Sequence, residues 1–208
     1  MNKLSVIIPT VQKGLKVTNK LLAILDNDES ISEIILINNR KEKFFPEHTI
    51  EKLKIFNQKE NLYVNKSWNF GITICENERF LIMNDDILCP AGFPSKIISS
   101  GILELENTGL VGLCNRFINQ NNRGTVDDLD IPNDDNITPD FLPISNYMGT
   151  GDWGSAFFGK KSSYYMIPDD INIIYGDNYL LYKNIKTHIY YYLIQRLICI
   201  VYNLFFYN

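Results

Sequence analysis

Short apolar runs and amphipathic stretches alternate along the first half of the chain. Leu4 to Ile8 (LSVII) is closed by Pro9, and Glu33 to Ile37 (EIILI) ends in Asn38-Asn39. Leu53 to Phe56, Phe80 to Met83 and Leu110 to Leu113 are further runs of the same kind. Runs this short and continuous predict strands buried on both faces of a parallel sheet. Between them, Val17 to Leu25 carries Leu21, Leu22 and Leu25 at helical spacing. Leu62 to Cys75 puts Val64, Trp68, Ile72 and Cys75 on one side of a helix. Pro94 stands where a first helical turn tolerates proline, ahead of Ile97, Ile98, Gly101, Ile102 and Leu105. The β-α-β-α order predicts an α/β fold, a mostly parallel sheet with helices on both faces, in a single domain.

The pattern changes after the fifth run. Ile118 to Pro143 is rich in Asn and Asp and reads as a long surface loop, of the kind that is functional or disordered in compact domains. Ordered signals return at Ser155 to Phe158 and Tyr164 to Ile167, and a helix is predicted from near Asp177 through Leu180, Leu181 and Tyr182. The end of the chain, Ile189 to Asn208, is apolar enough to raise a membrane question. Gln195 and Arg196 sit near its middle, and a central Arg costs roughly 2.5–3.5 kcal/mol on insertion scales, which argues against a spanning helix. Two readings remain: a final strand over Ile189 to Ile194 with a packed tail, or an interfacial anchor making peripheral membrane contact with Arg196 at the headgroups.

Composition narrows the function. The chain has 208 residues, 45% hydrophobic, which suits one sizeable core. A net charge of -4 gives no footprint for nucleic acid, which needs a concentrated basic face. The four cysteines, Cys75, Cys89, Cys114 and Cys199, are scattered, with no C-x-x-C pair. They read as reduced thiols of a cytoplasmic protein rather than a disulfide frame or zinc site.

In an open parallel sheet, ligands bind beyond the carboxyl ends of the strands. The residues there are Pro9-Thr10 after the first strand, Asn38-Asn39 after the second and Asn84-Asp85-Asp86 after the fourth. All three groups are polar and converge on one edge. Adjacent carboxylates at a strand end offer hard oxygen ligands, which suit Mg²⁺ or Mn²⁺ shared with phosphate oxygens. Alone, the pair could equally cap a helix or decorate a turn.

The ordered set SVIIPT, EIILINN, ENLYVNKSWNFGI and FLIMNDDI, over about residues 3 to 88, resembles the donor half of glycosyltransferase family 2, whose fold is the Rossmann-like GT-A fold. GDWGSAFFGKKSSYYMIPDDINIIYGDNYLLYK resembles its acceptor half, with Tyr175-Gly176-Asp177-Asn178 similar to the family's acidic motif. The resemblance implies a donor half over residues 1–90, an acceptor half over 91–188 and an apolar tail over 189–208. It implies transfer of a sugar, with inversion, from a nucleotide-sugar donor (UDP-linked) to a hydroxyl acceptor on a glycan, lipid or protein-linked sugar. Mn²⁺ or Mg²⁺ would assist. Asp177 would be the general base and Asp86 the metal ligand. Pro9, Thr10, Asn38, Asn65, Lys66, Asn69 and Asp85 would lie about the donor, and Trp153 and Gly154 about the sugar and acceptor.

Asn38 and Asn84 are amides where the family has carboxylates, and the tail beyond His188 also departs from its pattern. Two rivals share the sheet. A sugar-nucleotide nucleotidyltransferase needs a glycine-rich basic loop after the first strand, where PTVQKGLKVT offers only Gly14; a dehydrogenase needs G-x-G-x-x-G there, which is absent. A non-catalytic sugar-nucleotide-binding or scaffold protein draws support from Asn38 and Asn84 and is opposed by Asp85, Asp86 and Asp177. Trp68 and the cluster Phe157, Phe158, Tyr164 and Tyr165 are expected in the core, and Asp169-Asp170 competes with Asp177 for the role of base.

Overall fold

The computed structural model describes residues 3–113, 140–144, 153–173, 175–184 and 189–194. Four helices and eight strands follow in chain order: β1 (Leu4–Thr10), α1 (Leu15–Asp26), β2 (Ile31–Asn38), β3 (Leu53–Asn57), α2 (Tyr63–Ile74), β4 (Arg79–Met83), α3 (Phe93–Ser99), β5 (Thr108–Leu113), β6 (Asp140–Ile144), β7 (Ala156–Lys160), α4 (Gly176–Asn184) and β8 (Ile189–Ile194). The strands form one sheet in the order β3-β2-β1-β4-β7-β5-β8-β6. The β1–β2, β1–β4, β2–β3 and β5–β8 pairs are parallel. The antiparallel pairs, β4–β7, β5–β7 and β6–β8, all lie in the second half of the sheet, so the sheet is mixed there and parallel before it.

Every residue of β1 is buried, because neighbouring strands pair with both its edges and helices cover both faces. The alternation of strand side chains divides the interior in two. Leu4, Val6 and Ile8 point to the face covered by Val17, Leu21, Leu22 and Leu25 of α1 and by Phe93 and Ile97 of α3. Ile7 points to the opposite face, with Trp68 and Ile72 of α2 and Leu180 and Leu181 of α4. On that face Phe157 lies edge-on to Trp68 (5.2 Å between centroids) and to Phe80 (6.2 Å), and Phe80 lies edge-on to Tyr164 (5.7 Å). Trp68, Phe157, Phe158 and Tyr164 are core residues, as expected, while Tyr165 is only partly buried.

The structure corrects the sequence reading in two places. The helix after Pro94 is short, because Gly101 adopts φ 73 and a separate 3-10 turn, Ile102–Glu104, follows it. A left-handed residue cannot continue an α-helix, and glycine enters that region without a Cβ penalty. The end of the polar stretch is not loop: Asp140–Ile144 forms β6, paired with β8. β6 is an edge strand, where a proline such as Pro143 leaves no ladder bond unmade. The rest of that stretch lies outside the described residues. Tyr164 to Ile167 is ordered, as expected, without being a strand.

Ile189–Ile194 is a strand of the sheet, which agrees with the first reading of the tail; residues 195–208 and His188 lie outside the described residues. Among the described residues no helix is long and apolar enough to cross a membrane. Cys75 and Cys89 are buried and form no disulfide.

Candidate functional site

The carboxyl ends of β1, β2 and β4 lie side by side, so the residues that follow them meet at one sheet edge. Asp85 and Asp86 are both buried there, at 9% and 3% exposure. The Thr10 hydroxyl donates to Asp85 Oδ2 (2.5 Å), and the Thr18 hydroxyl on α1 donates to the Asp85 carbonyl (3.2 Å). Asp86 is treated differently. Its Oδ1 is buried with no hydrogen-bond partner among the described residues. Burial, and then the neighbouring Asp85, push its pKa up to about 7. Burial also raises the pKa of Asp85, against the pull of the Thr10 hydroxyl.

Another buried carboxylate shows what the chain does when it merely needs to bury one. Burial raises the pKa of Glu33 in β2, but Lys54 Nζ (2.8 Å), the Ser5 hydroxyl (2.5 Å) and the Glu76 N–H (2.6 Å) more than reverse this, and the net shift is downward. Among the described residues no such cation reaches Asp86. Buried polar groups without partners are uncommon, and a buried carboxylate is ordinarily paired or bound to a metal. A divalent cation is one partner that would suit the Asp86 oxygen, with Asp85 beside it, although no group of three or more His, Cys, Asp or Glu side chains gathers around a metal position among the described residues.

Asn38 is fully buried, and its amide is saturated. Oδ1 accepts from Gln12 Nε2 (3.0 Å) and the Arg40 N–H (3.1 Å), while Nδ2 donates to the Glu42 carbonyl (2.7 Å) and to Asn57 Oδ1 (2.8 Å). A direct contact from Asn38 to a base would require breaking one of these bonds. Sequence reasoning missed two residues here. Gln12, held at φ 57, fastens Asn38 and the Glu42 carbonyl and carried no sequence signal. Asn39, legible only as the second half of an Asn pair, donates from Nδ2 to the Ser67 hydroxyl (2.9 Å) and accepts from the Leu62 N–H (3.0 Å), joining the end of β2 to the start of α2.

On α2, Lys66 is half-buried, and no described hydrogen bond or ion pair involves it. Asn69 holds the Ile167 backbone with both ends of its amide (2.8 and 3.0 Å) and accepts from the Tyr164 hydroxyl (3.0 Å). Pro9 is buried in β1, opposite Ile37.

Asp177 lies in the first turn of α4 and caps the Asn178 N–H (2.8 Å). Its carboxylate packs on Gly154, where a Cβ would come 2.6 Å from Oδ2. Gly154 belongs to the 3-10 turn Trp153–Ser155, and the Ser155 carbonyl accepts from the Asn84 N–H (2.9 Å), one residue before Asp85. The turn therefore links the ends of β4 and α4, which lie far apart in sequence. Asp169 and Asp170 are exposed on a turn.

The sheet order, with helices packed on both faces, is that of an α/β fold of the GT-A type. Residues 5–154 match the model of glycosyl transferase family 2, and the chain belongs to that family. Among solved structures, residues 1–349 of S. aureus TarS align with a TM-score of 0.61 at 14% identity, over 94% of this chain and 59% of that one. The mannosyltransferase PcManGT from Pyrobaculum calidifontis, in complex with GDP-Man and Mn²⁺, aligns with a TM-score of 0.45 at 16% identity, over 53% of this chain and 35% of that one. At such identity the TarS likeness speaks for the fold alone, and the chain spans about three-fifths of the TarS structure. No curated protein matches the sequence.

The raised pKa of Asp86 has a stability consequence. The folded state holds this proton more tightly than the unfolded chain, so the contribution of Asp86 to metal-free stability is greatest in acid and is lost as pH rises toward about 7. Asp86→Asn removes the buried charge but leaves a buried amide. In chelator at pH 8 it is expected to stabilise the protein by about 1–3 kcal/mol, with the gain vanishing near pH 4. Urea unfolding of both proteins at the two pH values measures this; a variant less stable than wild type at pH 8 would show that Asp86 has a partner in the native fold.

Proposed function

We propose that this chain catalyses an inverting sugar transfer from a nucleoside diphosphate donor, UDP-linked, to a hydroxyl acceptor. The observation that carries the proposal is the buried, partnerless Asp86 oxygen beside Asp85, joined through Asn84, Ser155 and Gly154 to Asp177. Membership of family 2 supports the same reading. In this reading residues 1–90 hold the donor and residues 91–188 the acceptor, within one domain. Uridine rests on the family resemblance and is decided by experiment.

The reaction is a single displacement. Asp177 accepts the proton of the acceptor hydroxyl, whose oxygen bonds to the anomeric carbon while that carbon's bond to the diphosphate oxygen breaks. The electron pair leaves on the diphosphate. A positioned general base is typically worth 10²–10⁴-fold. Asp86, with Asp85 beside it, fits Mn²⁺ or Mg²⁺, and such an ion, when bound, supplies positive charge to the departing diphosphate. Thr10 orients Asp85 through its hydroxyl. Lys66 is the cation available to the phosphates from α2. Asn38, with Gln12 and Asn57, builds the wall against which the base lies. Asn65 and Asn69 stand on the helix beside the donor and hold the backbone of residues 167–172 on the acceptor side. Trp153 and Gly154 are assigned to the sugar and acceptor by the family resemblance, and Gly154 leaves room for the Asp177 carboxylate.

With saturating Mn²⁺, UDP at about 100 times its Kd should stabilise the protein by roughly 2.7 kcal/mol. The thermal shift is expected to disappear with chelator and in Asp86→Asn, and to be smaller with GDP. Asp177→Asn should keep the shift and lose about 10²–10⁴-fold in transfer. Stabilisation by UDP that survives in Asp86→Asn would contradict the assignment.

We also propose a cytoplasmic protein in peripheral contact with a membrane through residues 195–208, the second of the two readings of that apolar stretch with its Arg196. Because Ile189–Ile194 belongs to the sheet, the comparison is between the full chain and one ending at Ile194. Flotation with anionic liposomes is expected for the full chain only, and equal behaviour of the two would refute the contact.

A further inference from the structure

Asn65 lies in the first turn of α2, wholly buried, far in sequence from the residues it holds. Its backbone N–H donates to the Asn172 carbonyl (3.1 Å), and its Nδ2 donates to the Ile171 carbonyl (2.9 Å). Both bonds fall on the segment that leads into α4. The first residue of that helix, Gly176, has no room for a side chain, because a Cβ there would overlap the Asn65 amide. The next residue is Asp177, whose carboxylate rests on Gly154. The start of α4 is thus seated between two contacts that only glycine permits, Asn65 on Gly176 and Asp177 on Gly154. Tyr175, just before, is held at φ 68, a conformation that a bulky residue keeps only where its surroundings fix it.

We propose that Asn65 is a positioning residue for Asp177: it sets where the first turn of α4 begins and so aims the carboxylate. The role rests on the reading of Asp177 as the general base. The same first turn of α2 is tied to the end of β2 through Asn39, Ser67 and Leu62, and Asn39 donates its backbone N–H to the Thr10 carbonyl (2.9 Å). Asn65 therefore references the base to the frame that carries Thr10 and Asp85. A side chain that only filled space would need neither the bond to the Ile171 carbonyl nor a glycine opposite it. The consequence is steep, since a misplacement of about 1 Å in a reacting group lowers a rate by up to about 10²-fold.

The test uses the full chain labelled with ¹³C-aspartate, in wild type, Asn65→Ala, Gly176→Ala and the double variant. The Asp177 carboxyl resonance is assigned by its loss in Asp177→Asn. Nucleotide release from UDP-glucose, UDP-N-acetylglucosamine and GDP-mannose, with water as acceptor, is followed in parallel. Each single variant is expected to shift the Asp177 resonance and leave those of Asp85 and Asp86 in place. For any donor turned over, kcat should fall at least about tenfold, with KM within about twofold. The double variant should be no worse than the poorer single one, because the new methyl at position 176 enters the space that Asn65 vacates. If Asn65→Ala does not fold, Gly176→Ala decides by the same resonances. An unmoved Asp177 resonance, or equal movement of Asp85 and Asp86, overturns the proposal and leaves the base reading standing. Undiminished nucleotide release by Asp177→Asn overturns the base reading itself, and the role of Asn65 with it.

Discussion

Glu33 and Asp86 are buried toward opposite ends of the parallel strands, and the chain handles them in opposite ways. Glu33, near the start of β2, is bound by a lysine, a hydroxyl and a backbone N–H, which hold it ionised. Asp86, beyond the end of β4, sits against Asp85 with an oxygen that nothing described reaches. A folded protein keeps such an arrangement only if the surrounding structure enforces it. Here that structure is a parallel sheet packed on both faces, whose β1 and β4 strands leave the chain no other course at their carboxyl ends. In the proposed reading a cation bound there would offset the repulsion between the two carboxylates.

The antiparallel half of the sheet has a positional role. β7 pairs with β4 in reverse, so the turn before β7 arrives at the same edge as the carboxylates after β4. The Asn84–Ser155 backbone bond closes this junction, and Gly154 on that turn makes room for the Asp177 side chain. On the other flank, α2 grips the segment leading to α4 with Asn65, and the Tyr164 to Ile167 segment with Asn69. The Asn69 amide donates and accepts at once, as a peptide does, while the Asn65 amide donates only; either way a side chain holds irregular chain where no strand is available. The helix that flanks the donor edge is thereby also the bracket for the acceptor side.

How much of this was legible depended on the range of the interactions. β1 to β5 and β8 declared themselves by apolar runs, and α1, α2 and α4 by spacing, because burial against a nearby layer imposes a local period. Thr10, Asp85 and Asp86 were legible as strand ends, since topology alone converges them. β6 was lost in a polar stretch, because an edge strand can tolerate Pro143 and needs no continuous apolar run. The saturation of Asn38 was not legible, because its partners Gln12, Glu42 and Asn57 come from three separate segments. Nor was the meaning of Gly176, whose neighbour Asn65 lies more than a hundred residues earlier in the chain.

The central claim is that the Asp85–Asp86 pair is a cation site serving a nucleoside diphosphate. The most direct measurement is an anomalous difference map from crystals grown with Mn²⁺ and UDP. The account predicts one strong manganese peak at the Asp86 carboxylate, bridged to the diphosphate oxygens. A nucleotide bound with its phosphates away from β4, or manganese bound only elsewhere on the protein, would contradict it.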